Sequence, residues 1–202
     1  MIAKIVCAGF NSFQDVYHRD DDEFILAVDG GIIATSSLNI IANIAIGDFD
    51  SSDIDRFGLA YDTKIAFPKE KNASDLELAI DYVADMNFSR IEIYNGSGNR
   101  LDHFLSILRV MEKYSHLNIH LLDTSNDIWI IETDYEFVRN QYKYISFFAI
   151  ENNTIITLTG FKYELDHYLL HTNDSICLSN EVITRGSVVV DKKIIAIQAL
   201  EK

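Results

Sequence analysis

Short apolar runs alternate with amphipathic stretches over the first 125 positions of the chain. "AKIVCAG", "FILAVDGG", "IANIAIGDFDS", "TKIAFP", "RIEIYNG" and "NIHLLD" have strand length and are rich in Ile, Val, Leu and Phe. Between them the spacing turns helical. Leu76, Ala79, Ile80, Val83 and Met86 recur at i, i+3, i+4, i+7 and i+10, which predicts one apolar helix stripe, and Leu101, Leu105, Leu108 and Met111 predict a second. Strands separated by helices imply a mostly parallel sheet. From about residue 127 the texture changes to "DIWIIE", "YEFVRN", "KYISFFAI", "TIITLTGF", "SICLSNEVI" and "GSVVVDKKIIAIQAL", β-rich runs broken by Asn, Asp and Gly. These predict a small all-β sandwich, with Asp191 and Lys192 as a hairpin turn and Trp129 and the tyrosines as filling. The expected architecture is an α/β N-terminal domain over residues 1–125, its mostly parallel sheet forming a Rossmann-like three-layer unit, followed by an all-β C-terminal sandwich over residues 126–202.

Composition narrows the partners. A chain of 202 residues with 48% hydrophobic content can bury a sizeable core. Its formal net charge of -14 argues against broad nucleic-acid binding, so any polyanionic ligand must be held locally. Cys7 and Cys177 lie far apart with no CxxC spacing and read as two reduced, buried thiols. The N-terminus reads as a first strand rather than a signal peptide, and no run reaches the ~18 to 20 apolar residues of a membrane span. A soluble, cytoplasmic protein without a membrane partner is expected.

The candidate chemistry sits where strands end. In "AIGDFDSSD", Asp48 and Asp50 are two apart, so a strand continuing through them would point both carboxylates to one face, an oxygen pair suited to Mg²⁺. An Asp-rich turn with Ser51 bonded to its own backbone is the alternative. "FPKEKNASDLELAI" offers Lys69, Lys71, Ser74 and Asp75 before a helix. Ser74 and Glu77 fit a capping box, and the helix N-terminus with its nearby lysine also suits a phosphate. "YNGSGNRLDHFLSIL" places Arg100, Asp102 and His103 in the first turn of a helix. Asn99 could be its N-cap, with Asp102 answering from the third position. The spacing is not GxGxxG and there is no P-loop, yet glycines, an arginine and a carboxylate describe a phosphate-approach loop. "FILAVDGG" adds Asp29 at another strand end. No GxSxG, HExxH or Cys/His pair supports a covalent nucleophile or a zinc hydrolase, and His167 and His171 lie in a β-textured region.

Taken in order, "DGG", "GDFDS", "KNASDLELA", "GNRLDH" and "SNE" resemble the thiamine pyrophosphokinase family, whose pattern runs DGG, GDxDS, KDxTD, GGRxDH and a late SNE. "LTGFKYEL" and "YISFFAI" resemble family segments of the second domain. The resemblance implies an α/β domain with a β-sandwich, a homodimer with sites between subunits, and conversion of thiamine and ATP to thiamine diphosphate and AMP. It also implies that Asp48, Asp50 and Asp75 hold Mg²⁺ on the triphosphate. Asp29, Lys71, Ser74, Arg100 and Asp102 would surround ATP and the transferred group, with Ser51 in the same acidic turn. Ser179 and Asn180 would contact thiamine from the partner subunit, with His103 shaping the pocket. Asn72 stands where the family has Asp, Ser74 where it has Thr, Asn99 where it has Gly, and Ala149 where it has Pro. An active enzyme is expected. The rival readings are a pyrophosphokinase for another alcohol, such as a hydroxymethylpterin, and a non-catalytic thiamine or nucleotide binder.

Overall fold

The computed structural model describes residues 1–9, 12–49, 60–68, 70, 72–98 and 100–201, and the chain divides into two compact units, Met1–Thr124 and Ser125–Lys202. The first unit is a parallel sheet with helices. Its strands are β1 (Ile2–Val6), β2 (Glu23–Val28), β3 (Ala42–Gly47), β4 (Tyr61–Ala66), β5 (Arg90–Tyr94) and β6 (Ile119–Leu122). They lie in the order β4-β3-β2-β1-β5-β6, and every neighbouring pair is parallel. Parallel strands need crossover connections, which α1 (Phe13–Val16), α2 (Gly31–Ser37), α3 (Asp75–Ala84) and α4 (Leu101–Lys113) help to supply.

Near-continuous burial along β1, β2 and β3 matches a sheet covered on both faces. Ile25 and Ala27 pack with Phe13 of α1 and Ile32 and Ala34 of α2. Strand alternation sends Leu26 and Val28, also buried, to the opposite face. The stripe Leu76, Ala79, Ile80 and Val83 is buried as its spacing predicts, and α3 touches β1, β2 and β3. Met86 lies past the end of that helix and is exposed. Of the stripe predicted on α4, Met111 is buried as expected and Leu108 half-buried, but the first half is misplaced. Ile107, Val110 and Met111 are buried, whereas Leu101 and Leu105 are 70% and 61% exposed. The buried face is turned by about one residue, roughly 100°, from the leucine spacing.

The second unit is built of antiparallel strands: β7 (Asn126–Ile131), β8 (Tyr135–Val138), β9 (Tyr144–Ala149), β10 (Thr154–Phe161), β11 (Leu165–Leu170), β12 (Val182–Val190) and β13 (Ile194–Ala199). β13 pairs with β7 and β9, and the remaining four form a sheet in the order β11-β10-β12-β8. Both sets contribute to one core that includes Trp129, Phe137, Phe147, Phe161 and Ile194. Phe137, Phe147 and Phe161 meet edge to face, each pair with ring centroids 5.8 Å apart. Such contacts contribute about 0.5–1.5 kcal/mol per pair beyond area burial. Trp129 is 5% exposed, packed on Tyr135 and Phe137, and therefore fills the core as expected.

Asp191 and Lys192 do not close a hairpin. β12 pairs with β10 and β8 while β13 pairs with β7 and β9, so this turn carries the chain from one set of strands to the other. "SICLSN" is a turn rather than a strand, and β12 begins only at Val182. No helix among the described residues is long and apolar enough to cross a membrane.

Candidate functional site

Strand order in the parallel sheet reverses at β1, which has β2 on one side and β5 on the other. Connections from these strands leave in opposite directions, and the crevice between them is where open α/β sheets bind ligands. A cavity of about 530 Å³ lies there, lined by residues that follow β1, β2 and β5 and by the first turns of α3 and α4. Of the residues singled out in the sequence, Asp29, Ser74, Asp75, Arg100 and His103 line it. Segments more than 70 positions apart are thus gathered by the sheet.

Asp29 follows β2 in the left-handed region, φ 47, with its N–H donating to the Ile46 carbonyl at 2.9 Å. Its carboxylate lies against the end of β3. A Cβ placed on Gly47, φ 155, would fall 1.8 Å from Asp29 Oδ1, so only glycine leaves room for that carboxylate. Phe49 N–H points to the same oxygen at 3.4 Å. The "DGG" and "GDFDS" segments therefore meet, with Asp48 between the two residues that touch Asp29. β3 stops at Gly47 and Phe49 is left-handed, φ 53, so the strand on which the expected alternation rested ends before Asp48. Asp50 and Ser51 lie outside the described residues.

Ser74 caps α3, its Oγ accepting from Glu77 N–H at 3.2 Å. Only this half of the capping box is seen, because the Glu77 carboxylate is bonded to Lys113 Nζ at 2.6 Å. The cap leaves other first-turn N–H groups available, with Asp75 beside them. Lys69 and Lys71 lie outside the described residues.

Arg100, not Asn99, is the N-cap of α4, and it makes no side-chain cap bond. Asn99 lies outside the described residues. Instead of answering a cap, Asp102 accepts a fork from Arg100, Nε to Oδ1 at 2.9 Å and Nη2 to Oδ2 at 2.6 Å. These bonds hold the Asp102 carboxyl well below the usual carboxylate range and raise the guanidinium further. Both side chains are about two-thirds exposed, 67% and 64%, so the pair faces water, with only Arg100 on the cavity wall. Cys7 also lines the cavity. Burial first and the Asp29 charge second push its thiol up to about 12, which keeps it neutral and a poor nucleophile.

Ser179 and Asn180 belong to the second unit, described on its own. Ser179 is left-handed, φ 54, and its N–H donates to Ser146 Oγ at 2.9 Å. Asn180 is buried, its Oδ1 accepting from Tyr163 and Glu181 N–H and its Nδ2 donating to the Tyr163 carbonyl at 2.7 Å. That amide holds the turn against β10's exit and leaves Ser179 as the exposed polar group of the "SNE" segment.

Among the described residues, no three His, Cys, Asp or Glu side chains converge as a metal site, and Asp50, one predicted ligand, is outside them. Gly96 and Gly98 of the loop singled out in "YNGSGNR" line the cavity, whereas the sequence reading missed the wall supplied by Cys7–Gly9 and the part played by Asn95. Their position just after β1 and β5, the two strands at the reversal, is the signal that would have found them.

Two family models match the chain: "Thiamin pyrophosphokinase, catalytic domain" over residues 18–122 and "Thiamin pyrophosphokinase, vitamin B1 binding domain" over residues 131–195. A thiamine pyrophosphokinase of Bacillus subtilis (strain 168) is 32% identical over 187 residues, covering 88% of this chain and 87% of its own length. A crystal structure of thiamine pyrophosphokinase from Bacillus subtilis superimposes with a TM-score of 0.88 at 28% identity, covering all of both chains. One from Geobacillus thermodenitrificans gives 0.88 at 25% identity, covering 100% of this chain and 99% of its own.

Proposed function

The chain belongs to the thiamine pyrophosphokinase family, and from that premise we propose that it transfers the pyrophosphoryl group of MgATP to the hydroxyl of thiamine, yielding thiamine diphosphate and AMP. The observation that carries this reading is the cavity at the strand-order reversal. It collects Asp29, Ser74, Asp75, Arg100 and His103 from motifs scattered along the sequence. The thiamine hydroxyl gives up its proton to solvent as its oxygen bonds to the β-phosphorus, the bond from that phosphorus to the bridging α-phosphate oxygen breaks, and AMP leaves with that oxygen. No covalent enzyme intermediate is required, in keeping with a neutral Cys7.

Positioning and charge then do the catalysis. Arg100, on the cavity wall, would meet the phosphate oxygens, Lys71, outside the described residues, would add a second cation, and the first turn of α3 offers N–H groups beside Ser74. The Asp102 fork holds the Arg100 guanidinium and keeps it charged. The donor set around Asp29 and Asp75 is of hard carboxylate oxygens, which fits Mg²⁺, and Asp48, Asp50 and Asp75 would hold it. When bound, the ion neutralises charge developing on the phosphate oxygens. His103 bounds the pocket near the acceptor.

In this reading the first unit is Rossmann-like, with helices on both sheet faces, and the second binds thiamine through Ser179, held in place by Asn180. The protein works in the cytoplasm as a homodimer with sites between subunits. Leu101 and Leu105, exposed beside Arg100, supply apolar surface for that partner. Incubation of the purified protein with MgATP and thiamine, with a metal-free control, is expected to yield thiamine diphosphate and AMP in equal amounts only when metal is present. Product with a hydroxymethylpterin but none with thiamine would change the acceptor. Nucleotide binding without AMP would make the chain a binder.

A further inference from the structure

Asn95 follows β5 in the left-handed region, φ 59, and is 3% exposed. Asparagine is among the few side chains that tolerate this conformation. Here its amide is committed to a distant segment. Oδ1 accepts from Ser12 N–H at 2.9 Å and from Phe13 N–H at 3.0 Å, and Nδ2 donates to the Cys7 carbonyl at 3.3 Å. The two N–H groups open α1, where Ser12's own side chain makes no cap bond, so Asn95 takes up donors the helix leaves over. The backbones meet as well. A Cβ on Gly9 would fall 2.0 Å from the Asn95 carbonyl oxygen, which only glycine permits. Two residues on, Ser97 Oγ donates to Asp123 Oδ2 at 2.7 Å, bracing the same loop from the side of β6.

Cys7, Ala8 and Gly9 form one wall of the cavity and Asn95 to Gly98 another. We infer that Asn95 is a positioning residue for the nucleotide: its amide fixes the Cys7–Gly9 wall against the Gly96–Gly98 wall and so sets the width of the cleft that receives MgATP. The side chain acts through the two walls, since its three hydrogen bonds all go to protein backbone. This rests on the assignment of the cavity to MgATP made above.

Asn95→Gly permits φ 59 without strain and removes all three bonds. The KM for MgATP and the Kd of a non-transferable MgATP analogue are each expected to rise about tenfold, with kcat and the KM for thiamine within about twofold of wild type. Asn95→Asp keeps the acceptor toward Ser12 and Phe13 but loses the donor toward Cys7, and an intermediate Kd is expected. A merely structural role would lower Tm and scale activity with the folded fraction, with no split between the two KM values. That result, or a nucleotide Kd within twofold of wild type in Asn95→Gly, would overturn the inference. If Asn95→Gly does not fold, an unchanged Kd in Asn95→Asp overturns it instead. Wild-type protein that binds the analogue yet makes no thiamine diphosphate would remove the proposed reaction and leave Asn95 to be judged by Kd alone. Wild-type protein that binds no analogue would remove both.

Discussion

The two ends of the parallel sheet carry the same kinds of side chain and treat them in opposite ways. Toward the amino end, Lys4 is buried within β1, with Nζ 2.6 Å from Asp20 Oδ2 and 2.8 Å from Glu23 Oε2, and it also donates to the His18 carbonyl. Tyr17 completes the set, its hydroxyl donating to Glu23 Oε1 at 2.6 Å and its ring lying 4.7 Å from the ammonium. Burial pulls the Lys4 ammonium down, but the bonds to Asp20 and Glu23 outweigh it and leave the group raised. Burial pushes Glu23 up, and Lys4 and Tyr17 more than reverse that, leaving it lowered. At the carboxyl end, Asp29, Asp75 and Arg100 open onto a cavity and Arg100 is two-thirds exposed. A charge withdrawn from water must be satisfied by the chain itself. One left at a cavity wall keeps its hydration and can exchange it for a ligand. Charge facing the cavity should therefore matter to turnover, and buried, paired charge to stability.

The contrast can be broken from either side. The largest effect is expected for Asp48→Asn: thiamine diphosphate formation at saturating Mg²⁺ should fall about 100-fold or more, with an unchanged thermal midpoint. Near-normal turnover would remove Asp48 from the metal set. Lys4→Met should do the reverse, lowering stability by about 3 kcal/mol in urea titration because Glu23 loses its buried partner, while the folded fraction keeps its kinetic constants. Ser74→Ala tests a residue placed in both roles. Loss of the cap should cost about 1 kcal/mol, and a rise in KM for MgATP beyond that small destabilisation would assign Ser74 to the ligand as well. The smallest effect concerns pH. Glu23 is lowered from its ordinary 4.5, so its contribution is present above that pH and is lost as the pH falls below it. Thermal midpoints measured downward from neutrality should decline on crossing that region in wild type and decline less in Lys4→Met.

Strands of the first unit were legible because β-branched runs end in Gly, Asp or Asn, and burial on both faces leaves those runs nearly unbroken. The helix of Leu76 to Val83 was legible for the same reason, one continuous apolar stripe. The α4 stripe was misread because leucine spacing alone cannot tell a core face from an exposed one. Only the docked helix shows that Ile107 and Val110 turn inward beside the cavity. The turn at Asp191 was misread because two successive strands joined by a short polar turn look alike whether they pair or part. Motif order pointed to Asp29 and Asp75, and packing then added why Gly47 must be glycine. Asn95 opens an Asn-Gly turn, which suits its left-handed backbone, but its partners lie 82 to 88 positions away and no local pattern names them.

The placement of β1 at the reversal also has a consequence for how the chain comes together as it is made. Ile2–Val6 can pair with Glu23–Val28 early, since a short connection joins them. Its other edge must wait for Arg90–Tyr94, some 88 residues later, as the pairing of Ile2 with Arg90 requires. Closing so long a loop brings an entropic cost that only the finished seam recovers. Until then a strand whose last four residues are buried in the native sheet presents an open edge, a surface on which a growing chain can pair wrongly or be held by a chaperone. The binding cleft, which needs both sides of that seam, is completed only when the seam closes.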